Sequence, residues 1–293
     1  MNQAHLARVA GELSIAAGQV ASVAVLLAEG ATVPFIARYR KEATASLDEV
    51  AITAIRDRLE QLEELQKRRE TILKSLEDHG HLNDELQAAV EAAETLSALE
   101  DIYLPFRPKR RTRATIAREK GLEPLATAIF EQKSVDPETL AAGYLDADRG
   151  VENVTDALAG ARDIMAEWIN EDPRARERLR TLFRRQAVLT SRVATGKETE
   201  GIKYKDYFDW CEPAAKAPSH RILAMRRGER EDFLNLTVAP EEAQALPLLE
   251  ALFVKGRAPD SEQVRLAVQD SYRRLLARSM ETEMPGTWGD STP

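Results

Sequence analysis

The sequence runs to 293 residues with a formal net charge of −8 and a pI near 5.3, which excludes a protein that binds nucleic acid over its whole surface. The length suffices for one large or two ordinary domains, and aromatics at 5% beside abundant Ala, Leu, Glu and Arg favour helices over sheets. One cysteine, Cys211, excludes an intramolecular disulfide and reads as a structural residue in a reducing compartment.

The first twenty residues lack a basic stretch followed by a continuous apolar core, and no run approaches the ~18 apolar residues of a membrane span. A cytoplasmic protein without membrane association is expected. Residues 6–44 read as a cluster of short helices. An amphipathic stretch over 16–28 stops at Gly30, and Pro34 opens another helix carrying Arg38, Tyr39, Arg40 and Lys41. Such a cluster suits a helix-turn-helix-like unit and equally any helical bundle. Ser46 and Glu49 have capping-box spacing, so the longest helix is expected over 47–78. Its apolar residues Val50, Ile55, Leu59, Leu62, Leu65, Ile72 and Leu76 recur at helical or heptad spacing. A structural strut is preferred to a dimerising coiled coil.

Asn83 caps a helix over 84–94, and a short one reaches Tyr103. Pro105 and Pro108 then force an extended crossing, because proline lacks a donor and restricts the residue before it. Thr112 caps a helix over 113–120 that ends at Gly121, and Asp136-Pro137-Glu138 is a further N-terminal signature. Helices are expected over 153–170 and 173–188. Residues 191–218 read as a compact ordered loop with Tyr204, Tyr207, Phe208 and Trp210. A helix over 218–228, one short strand over 233–238, and helices over 240–255 and 261–283 complete the chain. The expected class is all-α: a multi-helix array around the long helix, with one small β element.

The densest charge lies between Arg107 and Lys120, where seven Lys/Arg face one acid, Glu119. Arg107, Lys109, Arg110, Arg111 and Arg113 are the candidate nucleic-acid contacts. Arginine forks beside a helix start suit phosphate oxygens. The competing reading pairs these cations with carboxylates of the strut such as Glu60, Glu63 and Glu64. Arg174, Arg176, Arg178, Arg180, Arg184 and Arg185 make a second basic helix, and Arg226, Arg227 and Arg230 a weaker third patch. Tyr39, Tyr103, Phe106, Tyr204, Tyr207, Phe208 and Trp210 have rings that can stack on bases, but most lie beside apolar positions, which favours a core role for them.

Catalytic signals are thin. Gly196-Lys197 lacks the rest of a phosphate loop, with Glu198 in place of Ser/Thr and Ser191 in place of the first glycine. His79 and His81 want metal-ligand partners that the sequence does not show, and Asp206 and Asp209 suit caps or ion pairs. No enzyme activity, cofactor or metal is expected.

Four segments in order, VPFIARYRKEATASLDEV from Val33, YLPFRPKRRTRATIAREKGLEPLA from Tyr103, GKETEGIKYKDYFDW from Gly196 and PSHRILAMRRGERE from Pro218, resemble the Tex family of bacterial transcription accessory proteins. The resemblance covers residues 5–283 and divides them into an amino-terminal helical domain over 1–190 and a central-region segment over 191–283. Family members continue into a YqgF domain of RNase-H type, helix-hairpin-helix units and an S1 RNA-binding domain. Residues 284–293 do not look like that continuation, so the chain is expected to be a truncated member. The resemblance implies a protein region that binds nucleic acid and acts with the transcription machinery, and a non-catalytic, monomeric scaffold contacting RNA or DNA backbone is expected. The alternative is a helical interaction module that meets RNA polymerase or other Tex domains without touching nucleic acid.

Overall fold

The computed structural model describes residues 2–107 and 111–283. The chain forms two compact units, one ending at Phe106 and the other starting at Arg107. The expected non-family tail over 284–293 lies outside the described residues.

The first unit is built on one long helix. Its elements are α1 (Gln3–Leu13), α2 (Ala17–Ala28), α3 (Val33–Tyr39), α4 (Lys41–Thr44), α5 (Glu49–Asp78), α6 (Asp84–Ala92) and α7 (Leu96–Tyr103). At 30 residues α5 is about 45 Å long. It buries Ile52, Ile55, Leu62, Leu65, Ile72 and Leu76, a near-heptad row. The first half of that row meets Val9, Val20, Val23 and Ile36 from α1, α2 and α3. The second half meets Val90, Leu99 and Tyr103 from α6 and α7. The row is consumed inside the unit, as a strut requires. Arg69 also reaches from α5 to the carbonyls of Val90 (3.2 Å) and Ala93 (2.9 Å), closing the end of α6.

The start of α5 differs from expectation. Asp48 is the cap, its carboxylate accepting from the Ala51 amide at 2.7 Å. Ala45 and Ser46 both have positive φ, 49° and 64°, in the turn that precedes it. That left-handed turn carries Ser46 off the capping position, and Asp48 supplies the oxygen instead. Val50, which the apolar pattern assigns to the buried row, is exposed.

The second unit holds α8 (Arg113–Glu119), α9 (Glu123–Glu131), α10 (Pro137–Ala142), α11 (Val154–Glu171), α12 (Pro173–Gln186), α13 (Ser219–Arg230), α14 (Glu242–Phe253), α15 (Pro259–Ser271) and α16 (Ala277–Glu283). A π-helical turn, Tyr272–Leu276, joins the last two. The strands β1 (Val188–Val193), β2 (Asp209–Pro213) and β3 (Leu234–Ala239) form an antiparallel sheet in the order β2-β1-β3. The register sets Thr190 between Cys211 and Thr237. β3 is the expected β element; β1 and β2 lie in and beside the stretch expected as a loop, and the fold is mostly α with this one small sheet. Cys211 is exposed on β2.

One apolar core runs through the second unit, from Ala114 and Leu125 through Ile164, Met165 and Phe183 to Leu234, Val268 and Met280. It crosses residue 190 without a break, since Ala187 and Leu189 before it and Tyr204 and Ala214 after it belong to it. The division between compact units falls at Phe106. Gly160 on α11 marks a close crossing: a Cβ there would sit 2.4 Å from Leu122 Cδ1 and 3.4 Å from the Ala117 Cβ of α8.

Candidate nucleic-acid interface

The basic turn is presented by a short, firmly seated helix. Ala114 and Ala117 turn one face of α8 into the core. Thr112 caps it, its hydroxyl oxygen accepting from the Thr115 amide at 3.0 Å. The same hydroxyl donates to Glu167 Oε1 of α11 at 3.3 Å. Arg118 reaches both Glu167 (2.5 Å) and Glu123 (3.1 Å). A buried carboxylate thus fixes the first turn of α8 and its last arginine together.

Of the five candidate contacts, Arg107, Arg111 and Arg113 are exposed, while Lys109 and Arg110 lie outside the described residues. Arg111 donates to Glu119 at 2.6 Å, with both side chains more than half exposed. That bond raises the guanidinium pKa. Arg113 has no ion pair among the described residues, though its charge helps to stabilise the Asp163 carboxylate of α11. Burial pushes the Asp163 pKa up, and Arg274 and Arg113 oppose the rise. The carboxylate that meets Arg111 belongs to the same unit; the strut carboxylate Glu63 is paired with Lys67 on α5 itself at 2.9 Å.

The arginine-rich α12 divides by face. Arg176 and Arg180 are only 6% and 3% exposed at the side chain, and both bind Glu283 of α16, Arg180 at 2.9 Å. Arg174 is turned back on the capping Asp172 at 2.7 Å. Arg178, Arg184 and Arg185 are exposed and without an ion pair among the described residues. Two of the six arginines in this run are internal structure. In the third patch Arg226 pairs with Glu229 at 2.7 Å, and Arg227 approaches Glu231 at 4.0 Å.

The candidate stacking rings also divide. Tyr103 and Tyr204 are buried, and Tyr207, Phe208 and Trp210 pack partly against the core. Trp210 carries Arg221 over its ring at 4.7 Å. Tyr39 is different, 66% exposed on α3 beside the 42% exposed Phe35. The helical phase puts Val33 and Ile36 inward and leaves Phe35 and Tyr39 outside.

Comparison with known proteins agrees with the resemblance. The profile of the Tex-like protein N-terminal domain matches residues 3–77, and that of the Tex central region-like family matches residues 132–285. The transcriptional accessory protein Tex of Neisseria gonorrhoeae is 47% identical over 280 residues, covering 94% of this chain and 34% of that protein. Protein tex of Bordetella pertussis is 42% identical over 300 residues, covering 98% of this chain and 38% of the relative. Protein YhgF of Escherichia coli is 41% identical over 297 residues, with the same 98% and 38% coverage. The chain belongs to the Tex family. It spans little more than a third of the length of these curated relatives. No helix among the described residues is long and apolar enough to cross a membrane.

Proposed function

We propose that this chain is a non-catalytic helical scaffold of a transcription accessory protein, and that the turn from Arg107 to Arg113 contributes contacts to a nucleic-acid backbone. The observation that carries this reading is the exposure of Arg107, Arg111 and Arg113 beside a helix start anchored through Thr112 and Arg118 to Glu167. A guanidinium on a fixed support loses little freedom when it meets a phosphate. Lys109 and Arg110 are included by their place in the sequence. The name of the Neisseria gonorrhoeae relative, transcriptional accessory protein, supports the setting. Basic side chains on phosphates give affinity without reading sequence.

The test is a titration of labelled single-stranded RNA and duplex DNA across a salt series, with Arg111→Glu/Arg113→Glu as the comparison. Log affinity should fall against log salt by about 0.7 per contact for a single strand and 0.9 for duplex. The double variant should lose at least about 1.4 of the single-strand slope while remaining folded. A folded wild-type chain that binds neither ligand contradicts the reading.

A second reading, contact with RNA polymerase and none with nucleic acid, is favoured by the Arg111–Glu119 ion pair, which already occupies one cation of the turn. Unaltered polymerase capture by Arg111→Glu/Arg113→Glu, together with no RNA binding by the wild type, would select it.

A further inference from the structure

In the first unit, α3 and α4 carry a second surface that the basic turn does not explain. Between Ala31 and Ser46 the sequence has three cations, Arg38, Arg40 and Lys41, and one acid, Glu42. All three cations are exposed, and none makes an ion pair among the described residues. Phe35 and Tyr39, one helical turn apart, have ring centroids 5.4 Å apart and planes inclined at 43°. The Arg40 guanidinium lies 5.6 Å from the centroid of the Phe35 ring.

This surface is held by what lies beneath it. Val33 and Ile36 are buried under α3, and Thr44 is buried under α4. The Thr44 hydroxyl donates to the Arg40 carbonyl (3.2 Å), and Gln19 of α2 donates to the Thr44 carbonyl (2.9 Å). The Ser46 amide closes on the Lys41 carbonyl at 2.9 Å. The backbone between the two aromatic rings and the three cations is therefore fixed from both sides. Exposing a phenylalanine and a tyrosine side by side leaves apolar area in water, which a ligand with flat faces would remove.

We infer that Phe35 and Tyr39 form a stacking platform for the bases of a single-stranded nucleic acid whose phosphates are met by Arg38, Arg40 and Lys41. The charge complementarity selects a polyanion, and the paired rings select one whose bases are free to stack. Duplex DNA presents no open base faces, and reading its groove would need more hydrogen-bonding side chains on α3 than Arg38 and Tyr39. An anionic bilayer is a poorer match, because seven residues of helix with Phe35 as their one exposed wholly apolar ring offer little to bury in the headgroup region. This inference does not depend on the basic turn, which belongs to the other unit.

The experiment is an anisotropy titration of the full chain with a fluorescein-labelled oligouridine of about 12 nucleotides and with a duplex of the same length. The wild type should prefer the single strand. Phe35→Ala/Tyr39→Ala should weaken it by about five-fold or more with the salt slope unchanged, and Tyr39→Phe should keep the affinity. Arg38→Glu/Lys41→Glu should instead flatten the slope by about 1.4. Ultraviolet crosslinking of the wild type to a 5-iodouridine strand supplies a readout free of substitution, with the adduct expected on Tyr39 or Phe35. Unchanged single-strand affinity in Phe35→Ala/Tyr39→Ala, or adducts confined to other residues, overturns the inference. Binding lost in Arg111→Glu/Arg113→Glu but untouched by the α3 variants would leave the basic turn standing and remove the platform. The converse would remove the turn and keep the platform.

Discussion

Two stretches of the second unit look alike as sequence, the turn at Arg107–Arg113 and the helix α12, and the fold uses them in opposite ways. In α12 the phase of the helix sends Arg176 and Arg180 inward, where both meet Glu283 and tie α12 to α16. In the turn the inward positions of α8 are taken by Ala114 and Ala117, which leaves Arg111 and Arg113 at the surface. The difference lies in which residues share the buried row. A charge run identifies a candidate surface only after its helical phase is known. An arginine that is almost fully buried and bound to a carboxylate has been withdrawn from any external anion.

That contrast can be broken by substitution. The largest effect is expected for Arg180→Ala, which leaves the Glu283 carboxylate short of a buried partner and should cost about 3 kcal/mol in denaturant unfolding. Arg113→Ala should change stability by no more than about 0.5 kcal/mol. Equal losses in the two variants would contradict the distinction. Next, Thr112→Ala removes the α8 cap and a hydrogen bond to Glu167, for an expected loss of about 1 kcal/mol. The same variant should weaken nucleic-acid binding despite conserving every charge, because the support of Arg111 and Arg113 is loosened. Unchanged binding would mean that the anchoring of the turn is irrelevant to its function.

The smallest effect sharpens the comparison from a third arginine setting. Glu12 of α1 sits between Arg58 of α5 (2.5 Å) and Arg8 (2.8 Å), and their hydrogen bonds hold its pKa down to about 2 from 4.5. A carboxylate with a lowered folded-state pKa contributes stability that is present above its ordinary value and lost as pH falls toward 2. Because the Glu12 side chain is 36% exposed, solvent screening keeps the contribution under about 1 kcal/mol. Glu12→Gln should flatten that part of the acid-unfolding curve. A steeper curve in the variant would contradict the assignment.

Much of this architecture is legible in the sequence for local reasons. The caps at Asn83, Thr112 and Asp136 all accept the expected amide hydrogen bonds, since a side-chain oxygen at a helix start depends on only a few neighbouring residues. The α5 row is legible because 30 residues average out single exceptions such as Val50. β1 and β2 are not, because each is five or six residues long and gains its pairing from a strand distant in sequence. Asp48 displaced Ser46 for a similar reason: two successive left-handed residues reset the helix start, and nothing in the capping-box spacing reports them. For the candidate interface, the basic turn stands out by composition, but its anchor does not. Glu167 is 55 residues from Thr112 and becomes its partner only when α11 crosses α8. The exposure of Tyr39 was readable in principle from the inward phase of Val33 and Ile36.

The most direct measurement is amide hydrogen exchange of the full chain with and without a saturating single-stranded RNA. The account predicts added protection in the peptides that span residues 107–116 and none on the buried arginine face of α12. Protection of α12 with the turn unaffected would contradict it.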